Sequence, residues 1–214
     1  MDRRSVALKL SRCSIGIAAL LVLGACRTTP EDVKSSHSGD ESDWIQPSPI
    51  LREQLRDESE RLPWTHGFER LEQIRWFASV GEPAYTALLE LAVDPRDDVA
   101  AAALAALGAT LDRRLVPHIR SLAWPEERKK SDLGLERART LVRLGDWSEI
   151  PVLIRGLEDQ RLYTRSLCLD ALRESTHETM DYDPRAEKKD RELAIKRWEE
   201  WWGERSGEGL IRTQ

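Results

Sequence analysis

The sequence predicts an all-α protein: a short α-solenoid of antiparallel helix pairs, placed after a signal segment and a flexible tether. Three observations carry this. Leu, Ala, Glu and Arg are abundant while β-branched residues are sparse, which favours helix over sheet. Apolar residues recur at helical spacing, most cleanly at Ile150, Leu153, Ile154 and Leu157. Stops at Gly81, Gly108 and Gly145 each precede another helix with a proline near its start, Pro83, Pro117 and Pro151. That is an irregular internal repeat of helix pairs. A two-helix unit cannot bury its own apolar stripe, so stacking supplies the missing neighbour.

The chain of 214 residues opens with Arg3, Arg4, Lys9 and Arg12, followed by the uncharged apolar run from Ser14 to Leu23. Ten or so helical residues reach about 15 Å, half of a ~30 Å hydrocarbon core, so the run is too short for a settled membrane span. A basic head, a short apolar stretch and small residues at its end are the parts of a secretory signal. The end reads Leu21-Val22-Leu23-Gly24-Ala25-Cys26. It resembles the lipobox of bacterial lipoprotein precursors. The resemblance implies cleavage before Cys26, a diacylglycerol thioether on its sulfur and a fatty acid on the new amine; no other cofactor is expected. Arg27 stands where an Asp would resemble an inner-membrane retention mark, which points to the outer membrane, facing the periplasm or the surface. Stable attachment needs more than one acyl chain. Residues 1–25 hold four Lys or Arg and one acid, a net of +3, so the chain's −5 becomes −8 once they are removed. An acidic exported protein is a poor partner for nucleic acid, which calls for a basic face.

Residues 26–47 are rich in Ser, Asp and Pro with few apolar side chains, and read as a flexible tether. From Ser48 the pattern turns helical. Ser48 caps and Pro49 takes the first helical position of a helix through about Arg61, with Leu51, Leu55 and Leu62 on one face. Further helices are expected at 68–80 (Leu71, Ile74 and Ala78 on one side), 83–93, 97–107, 113–123, 132–144, 148–156 and 162–173. Links of two to six residues make neighbours antiparallel. The Glu126–Lys130 run reads as a solvated face.

The segments DPRDDVAAAALAALGA and LGDWSEIPVLIRGLEDQRLYTRSLCLDAL look like HEAT-type repeats, and the likeness covers roughly residues 67–175. It implies stacked helix pairs with an extended groove and says little of activity. Ala100 stands where that family often has Arg, while Arg165 fills the similar place in the later unit. The end of the chain looks like one found in many exported bacterial HEAT-like proteins: a Tyr-Asp-Pro loop at 182–184, then a charged helix over 185–202 with Ala194, Ile195, Trp198, Trp201 and Trp202. The helix is expected to cap the solenoid. The alternative for Trp201 and Trp202 is an exposed platform for a sugar polymer. Residues 204–214 are expected to fray.

No catalytic or metal site is expected. His37, His66, His118 and His177 lie far apart, and His177-Glu178 is a single pair where HEAT-like deoxyhypusine hydroxylases use several. Cys168 lies among Leu167, Ala171 and Leu172 and reads as a small buried hydrophobe. Asp181 and Asp183 flank Tyr182 and read as turn and cap residues. No phosphate loop or nucleophile elbow occurs. HEAT-like bilin lyases and glycosylases exist, but export and acidity argue against both. The expectation is therefore a non-enzymatic scaffold, held at the membrane through lipid on Cys26, that binds an unidentified envelope protein. Glu90, Arg120, Arg155 and Glu158, near the second helix of each pair, are the expected contacts, and Trp201 and Trp202 the alternative ones.

Overall fold

The fold was analysed in a computed structural model that describes residues 44–207. The signal segment, Cys26, most of the tether and the last residues of the tail lie outside the described residues. Within them the protein is all-helical, with ten α-helices and no strand. Ser48 Oγ accepts from the Leu51 amide at 3.3 Å, and Pro49 starts α1 (Pro49–Arg61). A 3-10 turn, Leu62–Trp64, leads to α2 (Gly67–Val80). Next come α3 (Tyr85–Leu91), α4 (Asp97–Ala109), α5 (Leu115–Arg120), α6 (Glu126–Lys129), α7 (Asp132–Arg143), α8 (Ile150–Gly156), α9 (Leu162–Thr176) and α10 (Lys188–Ser206).

Two layers result. In one, α2 packs on α4, α4 on α7 and α7 on α9. The other holds α1 against α3, then α5, then α8 against α10, with α3 on α4 and α8 on both α7 and α9. The alanine-rich α4 is buried along Val99, Ala100, Ala102, Ala103, Leu104, Ala106 and Leu107, since its small side chains admit neighbours on several sides. One apolar cluster gathers Phe77, Leu88, Leu104, Leu107, Leu115, Ile119 and Leu141; a second gathers Leu153, Ile154, Leu169, Leu172, Tyr182 and Trp198. Each such aliphatic side chain contributes about 1.5–3 kcal/mol when fully buried.

A local device recurs at the helix starts. The carboxylates of Asp94, Asp112, Asp146, Asp159 and Asp183 each accept from the amide two residues on, at 2.8–3.3 Å. Four of these turns carry Arg at that second position, and in three of them the guanidiniums of Arg96, Arg114 and Arg161 hold Asp94, Asp112 and Asp159 below the usual carboxylate range. Arg114 also reaches Glu82 at 2.7 Å and Arg161 reaches Asp132 at 2.6 Å, so the turns tie one pair to the one before.

The helices of the first layer share a second device. Four residues before the buried Phe77, Leu104, Leu141 and Leu169 stand Gln73, Ala100, Arg137 and Arg165. Gln73 donates to Glu58 O, Arg137 to Ile119 O and Arg120 O, and Arg165 to Asp159 O, Gln160 O and Pro184 O. These side chains supply further donors to carbonyls at helix ends and in the connecting turns, where regular helical partners run out. Ala100 cannot. There Trp124 Nε1 donates to Ala92 O at 3.1 Å and Arg128 donates to Asp94 O, so the segment around α6 replaces the missing Arg.

Several expectations change in detail. The helix expected over 113–123 is the shorter α5, because Trp124 turns inward and the chain must leave the helix to bring it there. The Glu126–Lys130 run is not wholly solvated, since Arg128 lies over the Trp124 ring and pairs with Asp97 at 2.9 Å. α10 begins at Lys188 and runs to Ser206, so the fraying expected from 204 does not begin there. Leu71, expected inside, is 51% exposed; Gln73, Ile74 and Phe77 form the inner face of α2. The end of the expected tether is docked: Trp44 is buried edge-on to Tyr85 at 5.0 Å, beside His118 at 4.8 Å, with the Arg114 guanidinium 5.5 Å away. Ile45 N–H donates to Glu82 Oε1 at 3.1 Å and fixes the strap.

Candidate functional site

A cleft of about 510 Å³ opens at the edge of the stack where α6 meets α7, with α8 and the turn after it as the other wall. Lys129, Lys130 and Ser131 form its upper rim, Leu135 and Val152 its apolar sides, and Arg155, Glu158 and Asp159 its far wall. Gly134 and Gly156, which have only backbone to offer, also line it. A Cβ on Gly134 would lie 1.9 Å from Lys129 O, and one on Gly156 would lie 2.4 Å from Cys168 Sγ. Larger residues there would push the walls apart. Ser131 fixes the rim: its Oγ accepts from the Leu133 amide at 3.2 Å and donates to Arg128 O at 2.8 Å.

The charges on this wall differ in their freedom. Lys129 pairs with Glu126 at 2.7 Å, and Asp159 is held below its ordinary range by Arg161. Lys130, Arg155 and Glu158 stand in no salt bridge among the described residues. The cleft therefore offers two cations and one anion to an incoming chain, beside glycine backbone and short apolar walls. Behind Gly156, burial pushes the Cys168 thiol up to about 12, so it is a protonated packing group at neutral pH rather than a nucleophile. No cluster of three metal-binding side chains occurs among the described residues.

Of the expected contacts, Arg155 and Glu158 come together in this cleft. Glu90 is exposed on α3, away from it. Arg120 is engaged within the fold. Its guanidinium donates to both carboxylate oxygens of Asp146, at 2.6 and 2.8 Å, and to Ser148 Oγ at 2.6 Å, which ties α5 to the turn before α8. A partner would have to break that set to engage it. Trp201 and Trp202 are half-buried against the second cluster. Trp201 meets Trp198 edge-on at 5.5 Å and lies under the Arg205 guanidinium at 4.6 Å. They thus cover the end of the stack. Cys26 lies outside the described residues.

Sequence reading misses Lys129 and Lys130 as wall residues, since a charge run carries no sign of which neighbour it will face. The spacing of Gly134 and Gly156 within helical stretches is the available signal. Compared with family models, with curated proteins and with solved structures, the chain matches none.

Proposed function

We propose that the chain is a bacterial lipoprotein, anchored through diacylglycerol and a fatty acid on Cys26, whose HEAT-like helical domain holds a polypeptide segment of an envelope protein without catalysing a reaction on it. The observation that carries the binding role is the cleft between the α6–α7 junction and α8, with Lys130, Arg155 and Glu158 free of salt bridges among the described residues. Charges left unpaired beside glycine backbone fit a chain segment that brings its own charges and needs close approach. The lipobox-like Leu23-Gly24-Ala25-Cys26 supports the anchor. The sugar-platform reading of Trp201 and Trp202 gains no support from their half-buried packing.

Two measurements test this. Labelled palmitate should mark the wild-type chain and not Cys26→Ser. Cross-linking in intact envelopes should yield a defined adduct that falls by about tenfold in the Lys130→Glu/Arg155→Glu variant, as expected where two interfacial charges of like sign are reversed. The same adduct at undiminished yield in that variant would remove the cleft from the binding role.

A further inference from the structure

Trp64, Phe68 and Leu71 are 80%, 73% and 51% exposed. Trp64 ends the 3-10 turn that leads into α2, and Phe68 and Leu71 lie at i and i+3 in its first turns, so they are neighbours on its outer face. Farther along that face stand Glu72, Arg75 and Ser79, so the apolar character is confined to one end of the helix. We propose that this end of α2 is a contact for the lipid surface, a second and non-covalent membrane attachment in addition to acylation at Cys26. The proposal rests on the anchored reading given above.

Area decides against a folded partner. A large aromatic side chain presents about 150–250 Å², so the three exposures amount to roughly 400 Å². A standard interface needs about 800 Å² from each partner, which this patch does not offer to a second copy or another folded protein. A bilayer interface asks for no matching shape, and it is where Trp and Phe side chains partition. The surrounding charges oppose the approach little, because three guanidiniums engage four carboxylates and leave a net of −1. Arg61 binds Glu58 at 2.7 Å and Glu69 at 2.8 Å, Arg70 binds Asp98 at 2.7 Å, and Arg75 binds Glu72 at 2.5 Å.

The chain that precedes the domain permits this placement. It meets the domain at Trp44, and α1 then carries it along 13 residues, about 20 Å, to the edge that bears Trp64. The 18 residues from Cys26 to Trp44 can reach at most about 60 Å when fully extended, which exceeds that length. An anchored Cys26 therefore holds the Trp64 edge within reach of the same surface, and the tether raises its effective concentration there.

The test uses the full chain recovered from bacterial membranes and placed in vesicles of phosphatidylethanolamine and phosphatidylglycerol. A photoreactive Phe68→p-benzoylphenylalanine variant is compared with the same replacement at Tyr163, which is 72% exposed and lies at the start of α9. Lipid adducts should form about tenfold more at position 68, and Trp64→Ser should lower them several-fold, as expected of an interfacial aromatic pair. Equal labelling at the two positions on chains that float with the vesicles overturns the contact and leaves the anchor standing. Strong labelling at 68 on chains that carry no palmitate upholds the contact and removes the anchor. Chains that do not float at all overturn both.

Discussion

At the C-terminal end of the stack Trp198 is wholly buried among Leu153, Ile154 and Leu172, with Trp201 and Trp202 half-buried beside it. At the N-terminal end Trp64 is 80% exposed, and Phe68 and Leu71 stand open after it. The same residue type meets opposite fates because the two ends have different neighbours. α10 lies along α8 and presents an apolar face to it. α1 contributes Leu55 to the core and packs on α3, in the other layer, which leaves the outer face of α2 without a covering helix among the described residues. A helical stack must close its last stripe or use it. This chain closes one end with indoles and leaves indole and phenyl rings free at the other.

The largest expected effect breaks the closed end. Trp198→Ala removes the largest fully buried side chain and should cost about 3–5 kcal/mol, read as a lowered denaturation midpoint in urea. Trp198→Phe should cost clearly less. It keeps a ring in place and removes an indole N–H that is buried without an acceptor among the described residues. A loss below about 1 kcal/mol for the alanine variant would mean that α10 does not close the stack.

The two ends are also unequally legible. Glycine stops, prolines at helix starts and the stripe from Ile150 to Leu157 fix the pairs, because those signals are local and each helix has neighbours on both sides. The closing role of α10 is readable from Ile195, Trp198 and Trp202 at i, i+3 and i+7. α2 is harder. An end helix has one first-layer neighbour, so Leu71-Ile74-Ala78 and Gln73-Ile74-Phe77 are competing faces, and packing on α4 selects the second. Trp44 is hidden in a polar stretch, since its partners Tyr85, Arg114 and His118 lie far along the chain and leave no periodic trace. In the cleft, Arg155 and Glu158 can be placed near a second helix. Nothing in the sequence shows that Arg120 is consumed by Asp146 and Ser148.

A smaller loss should loosen the closed end without emptying its core. Arg165 is buried and donates four hydrogen bonds to three carbonyls, two of them to Pro184 O in the loop that leads to α10. Arg165→Ala should cost about 2–3 kcal/mol, since charge-assisted bonds to buried carbonyls are lost and no Trp124 or Arg128 stands nearby to replace them as at Ala100. Hydrogen exchange should locate the damage: amides of 183–206 exchange faster while those of α1 to α3 keep their protection. Uniform acceleration along the chain would mean that the two ends unfold as one unit, and the contrast between them would then be one of surface alone.

The smallest effect belongs to the open end. Trp64→Ser/Phe68→Ser should change stability in solution by no more than about 0.5 kcal/mol, because the two rings are largely in water and removing them leaves no cavity. Urea denaturation at several protein concentrations measures this. A loss above about 1 kcal/mol that grows with concentration would show the rings packed in an assembly of copies, and the open end would then be closed by association. A concentration-independent loss of that size would instead place them against their own domain. Either result erases the difference between the ends. A near-zero change leaves two large aromatic side chains whose exposure the fold does not need, which is the condition for their use at a surface outside the molecule.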